Sequence, residues 1–421
     1  MLKNFKINTK RDLLVPDFAC YQMNLQGPVQ AAINAGQVSD DFKELPSWSK
    51  FSAHPMKSRG FFSRVLEALF KGQGGFDELN VNLQTENWSG VRVAMMFISA
   101  NNAQMDMIDT IASETLDAWR VITLTGSRKY NGKKITNKNC QKIVAEIVEQ
   151  AQKDNKSVLI ISNNLGQRSF SIPEITELYL AYDAGEMGAT LQKMSRTLTP
   201  GDIDKIGRIF SLSFDPNRDD KFDAMVIETA VNIKRRKNMR SLAEALRTVL
   251  NTVDIFNCTK DGAVALDKDT YLAAALARKA VSRILGKTIN LGQCNTDTLI
   301  AIAQGNADYL RNEKQERTAK GQTRGVKQER NGSGQTVDKS TEKLIAKARE
   351  VVVTILENLD VIIDGTDCKI LADAMEVIRN DVEYQTCIEE EFGVGYEVIE
   401  YLFDSEIIKQ EHAELMYDLA A

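Results

Sequence analysis

Three nearly uninterrupted apolar runs constrain the fold of this chain more than any other feature. They lie at residues 158–161, 178–182 and 209–214. Strands that are apolar on both faces are typical of a parallel sheet covered by helices. Earlier in the chain, strand patterns at 91–99 and 119–125 alternate with helix patterns at 101–118 and 136–153. This alternation predicts βαβ units and an α/β fold with a mostly parallel sheet.

Polar residues follow the first two runs directly. The first run leads into residues 162–173, SNNLGQRSFSIP, and the second into Asp183 and then the short segment 192–196, QKMSR. Ligands of open α/β sheets bind beyond the carboxyl ends of the strands. The sequence therefore predicts a functional site at this edge of the sheet.

These two segments resemble conserved motifs of superfamily 2 helicases. Residues 162–173 together with 179–183 are similar to motif V, and 192–196 to the start of motif VI, Gln-Arg-x-Gly-Arg-x-x-Arg, at the same distance. The resemblance spans residues 88–222, is closest to the helicases of tailed phages, and implies a RecA-like second motor domain. The chain departs from the motifs at Ser171, Ser195 and Thr199, where the family has Asp, Gly and the final Arg.

The resemblance also implies roles for individual residues. Arg196 is expected to act as an arginine finger that stabilises negative charge on the phosphoryl oxygens of ATP, with Gln192 one helical turn before it. Ser162, Arg168 and Ser169 are expected to hold the phosphates of a nucleic-acid strand.

Simpler interpretations remain open for the basic residues. Arg196 can be a surface residue paired with Asp183 or Glu186, and Arg168 a solvated loop charge. A basic run closes a predicted helix, where it favours the helix C-terminus electrostatically or binds phosphate groups. The run consists of Lys234, Arg235, Arg236 and Lys237.

Two motifs of a complete motor are not found in the sequence. A P-loop, G-x-x-x-x-G-K-[ST], is absent, since the segment Gly286-Lys287-Thr288 has Val281 where the first Gly belongs. No acidic metal-binding motif is found either. ATP and Mg are therefore expected to be bound mainly by a P-loop motor domain acting in trans. With two histidines and six scattered cysteines, no metal site is predicted in this chain.

Composition along the chain predicts five segments. They are an irregular N-terminal segment with one amphipathic helix (1–87), the RecA-like domain (88–222), a helical domain (223–310), a basic flexible linker (311–340) and an acidic helical bundle (341–421). The bundle has 20 acidic and 6 basic residues, so the other segments carry a net charge of about +9 against −5 for the whole chain. A basic body is compatible with nucleic-acid binding.

The expected function is that of the C-terminal part of an ATP-dependent helicase or translocase acting on DNA. The alternative is a non-catalytic module that binds nucleic acid or protein on a degenerate RecA-like domain. An unrelated α/β phosphotransferase is the weakest interpretation, because no phosphate-binding loop is found. No signal peptide or apolar run of 18 residues is found, so we expect no membrane association and a cytoplasmic location, in the host if the chain is phage-encoded.

Overall fold

A computed structural model divides the chain into two compact units. Unit 1 comprises Met1–Glu228 and Val249–Asp267, and unit 2 comprises Thr229–Thr248 and Lys268–Ala421. The structure describes residues 17–81, 91–125, 128–136, 138–163, 172–183, 193–199, 206–214, 220–237, 241–276, 281–282, 285–286, 289, 291, 294–319, 339–359, 371–409 and 412.

Unit 1 is built on an eight-stranded sheet, with a separate two-stranded hairpin. The strands in chain order are β1 (Asp17–Asn24), β2 (Val93–Ile98), β3 (Trp119–Leu124), β4 (Lys129–Tyr130), β5 (Lys133–Lys134), β6 (Ser157–Ser162), β7 (Glu177–Ala181), β8 (Ile206–Ser213), β9 (Asp254–Thr259) and β10 (Gly262–Ala265). The large sheet has the order β10-β9-β1-β8-β7-β2-β6-β3, and β4 pairs with β5. Within the large sheet, only the β9–β10 pair is antiparallel. The expected α/β class with a mostly parallel sheet is confirmed.

Helices of unit 1 flank this sheet. They are α1 (Gln26–Asn34), α2 (Asp40–Glu44), α3 (Trp48–Ala53), α4 (Arg59–Leu66), α5 (Asn102–Thr115), α6 (Cys140–Lys153) and the first half of α7 (Asp220–Lys237). One face of the sheet carries Ala94, Met96, Leu159 and Phe210, which pack in one apolar cluster with residues of α1, α3, α4 and α5. Helix α6 buries its own apolar stripe, including Val144 and Ile147, and contacts β6.

The N-terminal segment differs from its expected form. Its strand β1 lies inside the sheet, parallel to both β8 and β9, and its helices join the apolar cluster. Residues 17–81 thus belong to unit 1 as much as residues 88–222 do. The strand is not predictable from its sequence, DFACYQMN, because this segment mixes polar with apolar residues without a regular alternation.

The region after residue 223 also differs from expectation, because it is not wholly helical. Strands β9 and β10 form a hairpin that extends the sheet of unit 1 beyond β1. The two strands are joined at Lys260-Asp261, and Gly262 has a φ of 117°, a value that favours glycine. The boundary expected at residue 222 therefore does not separate the sheet from a helical domain.

Unit 2 is helical in its described parts. Besides the second half of α7, its helices are α8 (Leu242–Leu250, up to Thr248), α9 (Lys268–Leu276), α10 (Thr296–Gln304), α11 (Ala307–Ala319), α12 (Lys339–Glu357), α13 (Leu371–Arg379), α14 (Val382–Phe392) and α15 (Tyr396–Asp404). Helix α10 packs on α12, and α11 packs on α15. The expected helical domain and acidic bundle are therefore parts of one unit.

The start of the expected linker is also ordered as a helix. Residues 311–319 lie in α11, where Arg311 pairs with Glu397 of α15. Residues 320–338 of that segment lie outside the described part of the chain. None of the helices that the structure describes is long and apolar enough to cross a bilayer.

Candidate functional site

The carboxyl ends of β6 and β7 meet at one edge of the sheet. Strand β2 lies between them, with Phe97 level with Ser162 and Ile98 level with Ala181. The two polar segments noted in the sequence therefore begin at the same edge, one strand apart. This part of the predicted site geometry is present in the structure.

Ser162 itself has no exposed surface. It is the last residue of β6 and is 0% exposed, between neighbours on β2 and β3. In this structure its hydroxyl cannot reach the phosphate of a bound strand. The nucleic-acid contact expected of Ser162 would require this burial to be relieved. Arg168 and Ser169 lie outside the described residues.

Asp183 has a structural partner on the N-terminal segment. Its two carboxylate oxygens accept hydrogen bonds from the backbone N–H groups of Trp48 (3.0 Å) and Ser49 (2.9 Å), the first residues of α3. A carboxylate at a helix N-terminus satisfies donors that have no partner within the helix. Asp183 therefore holds α3 against the carboxyl end of β7, and Glu186, the other partner considered for Arg196, lies outside the described residues.

Lys193 is the cation that the structure brings to this edge. Its ammonium nitrogen lies 3.8 Å from the ring centroid of Tyr182 and 5.5 Å from that of Phe97, which are at or next to the carboxyl ends of β7 and β2. The side chain is partly buried, and burial lowers its pKa to about 8. Within the described part of the chain, the ammonium has no carboxylate or hydrogen-bond acceptor. Lys193 is not among the site residues expected from the sequence, although Gln192 and Arg196 of the same segment are.

The turn that contains Arg196 lies nearer the amino ends of the sheet strands than expected. It is a 3₁₀ turn, Ser195–Leu198, in which the carbonyl oxygen of Thr197 packs against Gly207, the second residue of β8. The strand registers place Gly207 level with Val158, four residues before Ser162, which is roughly 13 Å along a strand. The turn that contains Arg196 therefore lies nearer the amino ends of the strands than Ser162 does, and the expected position of the Arg196 side chain at the carboxyl edge stays a prediction.

The environment of the Arg196 side chain is partly apolar. The residue is half-buried, and burial lowers the pKa of its guanidinium. Gln192, the residue expected to act with it, lies outside the described residues.

A second lysine fixes the same corner of unit 1. The ammonium of Lys221, near the start of α7, donates to the carbonyl oxygens of Tyr182 (3.2 Å) and Leu212 (3.4 Å). Lys221 is only 5% exposed. Because Lys221 donates hydrogen bonds at the carboxyl ends of both β7 and β8, it helps to position Tyr182, whose ring contacts the ammonium of Lys193.

The basic run Lys234–Lys237 lies in the part of α7 that belongs to unit 2. Lys234 is half-buried and Arg236 is exposed, and both make further contacts. The side chains of Arg235 and Lys237 are outside the described set.

The described residues offer a partner for phosphate but not for a divalent cation. No group of three or more His, Cys, Asp or Glu residues among them is placed to hold a metal ion. The unpaired ammonium of Lys193 suits a phosphate oxygen, because it supplies donors and a positive charge in a partly desolvated position. The residues present therefore fit contact with a phosphate of ATP, and they do not form a magnesium site.

Comparisons of the sequence with protein-family models and with curated proteins found no match. Similar solved structures include the C-terminal domain of a Dbp5 variant from S. cerevisiae, bound to a Gle1 variant and IP6. It is 11% identical, with a TM-score of 0.27 over 63% of this chain and 98% of that one.

Two further solved structures are also similar to this chain. The ATP-dependent Type ISP restriction-modification enzyme LlaBIII, bound to DNA, is 10% identical, with a TM-score of 0.34 over 96% of this chain and 26% of that chain. The C-terminal part of the Fun30 ATPase domain is 12% identical, with a TM-score of 0.26 over 47% of this chain and 85% of that one. At such TM-scores a likeness carries no functional argument, so the proposal below rests on the residues of this chain.

Proposed function

We propose that this chain is the C-terminal motor part of an ATP-dependent superfamily 2 helicase or translocase acting on DNA. The observation that carries the proposal is the position of Lys193. Its ammonium, which has no ion-pair partner among the described residues, lies at the carboxyl edge of a parallel sheet, inside the segment that resembles motif VI. Beside it, the Tyr-Asp pair of the motif V resemblance, Tyr182 and Asp183, directly follows β7.

In this proposal, ATP and Mg are bound mainly by a P-loop domain that faces this edge. When bound, ATP supplies the free energy of phosphoryl transfer. Lys193 and Arg196 offer positive charge toward its phosphate groups, and such charge stabilises a phosphoryl-transfer transition state. Gln192 is proposed to orient these groups. Of the two cations, Lys193 has the better-placed side chain, whereas Arg196 must extend toward the edge from the turn at Ser195–Leu198.

Nucleic acid is proposed to bind the same unit through Arg168 and Ser169, and unit 2 through Lys234, Arg235, Arg236 and Lys237. Contacts of this kind hold phosphates without reading the base sequence. Ser162 is left out of the proposed contacts because it is fully buried. A phage-type origin and a location in the host cytoplasm complete the proposal and follow from the sequence resemblance alone.

Phosphate release, with and without a matching P-loop domain, tests this proposal. The chain alone should show no ATP turnover above background, because it lacks a P-loop. The mixture should show hydrolysis that DNA stimulates. Arg196→Ala should then lower turnover about 10³-fold or more, the scale of a lost arginine finger. Lys193→Gln should lower turnover as well.

Arg120→Ala is the matched control, because Arg120 is a half-buried arginine near the start of β3, where its only described ion pair is a long one with Asp154 (3.8 Å). This variant should keep the full rate. ATP hydrolysis by the chain alone would contradict the division of roles between the two domains. If neither Arg196→Ala nor Lys193→Gln changes the reconstituted rate, the segment 192–196 has no catalytic role.

The second candidate is a non-catalytic module that binds nucleic acid or protein. Two observations favour it. The turn that contains Arg196 lies near the amino end of β8, and the Asp183 carboxylate accepts hydrogen bonds from the N-terminus of α3. In a module of this kind, DNA binding persists and no P-loop domain restores hydrolysis. The reconstitution assay therefore separates the two candidates.

A further inference from the structure

A long basic stretch follows β3 and is not used by any of the contacts above. Between Asp117 and Glu146 the sequence holds seven basic and no acidic residues. Three of the seven have carboxylate partners, since Arg120 pairs with Asp154, Arg128 with Asp106 and Asp109, and Lys142 with Glu146. The remaining four have no such partner among the described residues, and all are exposed. These are Lys129, Lys133, Lys134 and Lys138.

Three of the unpaired lysines lie on a small hairpin, here called the basic hairpin (Arg128–Thr136). Its strands β4 and β5 are joined by Asn131 and Gly132, whose φ values of 48° and 77° are those of a two-residue type I′ turn. Tyr130 is paired across the hairpin with Lys133. A tight turn of this type fixes the relative positions of the side chains on both strands.

The pairing of the basic hairpin is electrostatically unfavourable for the chain on its own. Lys129 is directly opposite Lys134, with both side chains exposed. Like charges in directly opposed positions destabilise an antiparallel pair. A polyanion that bridges the two ammonium groups removes this repulsion, so the arrangement fits an anionic partner better than it fits the free protein.

The base of the hairpin is firmly held. Arg128 donates to Asp109 (2.7 Å) and Asp106 (3.1 Å) on α5, and the N–H of Ile135 donates to the Arg128 carbonyl oxygen. Ile135 is 3% exposed and anchors the other strand. The hairpin therefore presents its lysines from a fixed position rather than from a loose loop.

The hairpin follows the carboxyl end of the edge strand of the sheet. Leu124, the last residue of β3, is level with Ser162. The unpaired lysines thus extend the edge at which Lys193 lies, along the side away from β7.

We infer that the basic hairpin binds the phosphate backbone of a single nucleic-acid strand, with Tyr130 beside it as a stacking surface for a base. This deepens the proposed function and rests on it for the expectation of a nucleic-acid partner. Lysines with an adjacent aromatic ring are the combination that binds single strands without sequence preference. A membrane is a poorer partner, because the tip of the hairpin, Asn131-Gly132, has no apolar side chain to insert.

Fluorescence anisotropy with a labelled 20-nucleotide single strand, as DNA and as RNA, tests the inference on the full chain without ATP. The variant K129Q/K134Q should bind at least fivefold more weakly at low salt. Its plot of log affinity against log salt should be shallower by about 1.4, because each lost phosphate contact on a single strand removes about 0.7.

The matched control is K153Q/K156Q, which removes the same charge from two exposed lysines beside the amino end of β6. It should keep the affinity and the slope of the unmodified chain. Equal losses in the two variants, or no loss in K129Q/K134Q, would overturn the inference. A thermal melt checks folding, and K129Q/K134Q should melt no lower than the unmodified chain because the opposed charges are gone.

Tyr130 gives an independent readout on the same strand. Tyr130→Ala should weaken binding with an unchanged salt slope, whereas Tyr130→Phe should bind like the unmodified chain, since stacking needs only the ring. If the unmodified chain binds neither DNA nor RNA, the inference is wrong and the hairpin fits an acidic protein instead. Loss of binding in the hairpin variants without any hydrolysis on reconstitution would contradict the motor proposal alone.

Discussion

Lys193 shows how one residue can be costly for folding and useful for binding. Its ammonium is partly buried and rests on the rings of Tyr182 and Phe97, and no carboxylate lies near it among the described residues. Burial without a counter-charge disfavours the protonated amine, whereas the face of an aromatic ring offsets part of that penalty. A bound anion would remove the remaining free-energy penalty of burying the charged ammonium. This environment is therefore typical of a site that binds a negatively charged ligand.

The penalty predicts a pH-dependent effect of Lys193→Met. Below pH 8 the unmodified chain keeps a buried charge, so the variant should be more stable at pH 7. From pH 8 toward 10.5, the folded chain releases this proton while the unfolded chain retains it, so the unmodified chain gains stability as pH rises. The advantage of the variant should shrink over that range. Thermal melts from pH 6 to 10 measure this.

The exposed Lys156 provides the control, and Lys156→Met should show no such pH dependence. If Lys193→Met were less stable than the unmodified chain at pH 7, the stabilisation of the ammonium by the two aromatic rings would exceed the free-energy cost of burying its charge. Inorganic phosphate should stabilise the unmodified chain and leave Lys193→Met unaffected, if the ammonium binds anions.

At the carboxyl edge, the sequence indicated the segments but not the role of each residue. The polar stretches after β6 and β7 were predictable because each directly follows an apolar run. Sequence position could not tell that Asp183 caps α3, because its partners Trp48 and Ser49 lie more than 130 residues away. Nor could it tell that Ser162 is covered, since burial at a strand end depends on what packs above it.

Among the secondary structure elements, β2 and β7 are joined by a buried ion pair. The guanidinium of Arg92, which directly precedes β2, donates to both carboxylate oxygens of Glu177 at 2.8 and 2.7 Å. The Tyr179 hydroxyl donates to the same carboxylate (2.8 Å), and the guanidinium lies over the ring of Trp119. A bidentate pair with further hydrogen bonds is the geometry that offsets the cost of burying two charges.

A double-mutant cycle should measure how strongly Arg92 and Glu177 depend on each other for their contribution to stability. Arg92→Met or Glu177→Met alone should destabilise unit 1 by about 3–5 kcal/mol, because each leaves one buried partner unsatisfied. The double variant R92M/E177M should be far less destabilised than the sum of the single effects. Urea unfolding followed by tryptophan fluorescence measures this, since Trp48 and Trp119 lie in unit 1. Additive effects would mean that the two residues contribute independently.

An aromatic row crosses the sheet from this ion pair to β9. Tyr179, Phe210, Tyr21 and Phe256 stack in one register with ring centroids 4.8 to 5.3 Å apart. The strands of the helicase-like region, β2, β3, β6, β7 and β8, were predictable from their apolar runs. Strand β1, which lies beside β8, and the β9–β10 hairpin, which lies beside β1, were not predictable, because their pairing involves this row of stacked rings and not a local sequence pattern.

For the whole molecule, the two units are interleaved along the chain. Unit 1 takes its central strand β1 from the N-terminal segment and its last hairpin from residues 254–265, beyond the start of unit 2. Composition along the chain predicts contiguous segments only, so this arrangement could not be derived from the sequence. It implies that the region resembling a helicase domain is not an independent folding unit.

Deletion of residues 1–81 tests that implication. It removes β1 and 18 of the 33 buried residues of the main apolar cluster. Each large side chain buried there contributes about 1.5–3 kcal/mol, so the loss exceeds the 5–15 kcal/mol of net stability typical of a domain. The shortened chain should lack a cooperative thermal transition of unit 1 by circular dichroism, and β8 and β9 should be left with unpaired edges prone to aggregation.

A chain lacking only residues 1–16 is the control, because it keeps β1 and should melt like the full chain. Co-expression of residues 1–81 with residues 82–421 should restore the transition, since β1 can still pair with β8 and β9 from a separate fragment. A soluble 82–421 fragment with a sharp melt and no need for residues 1–81 would show that the sheet closes without its interior strand. In that case the N-terminal segment would be an addition to the helicase-like domain rather than a part of it.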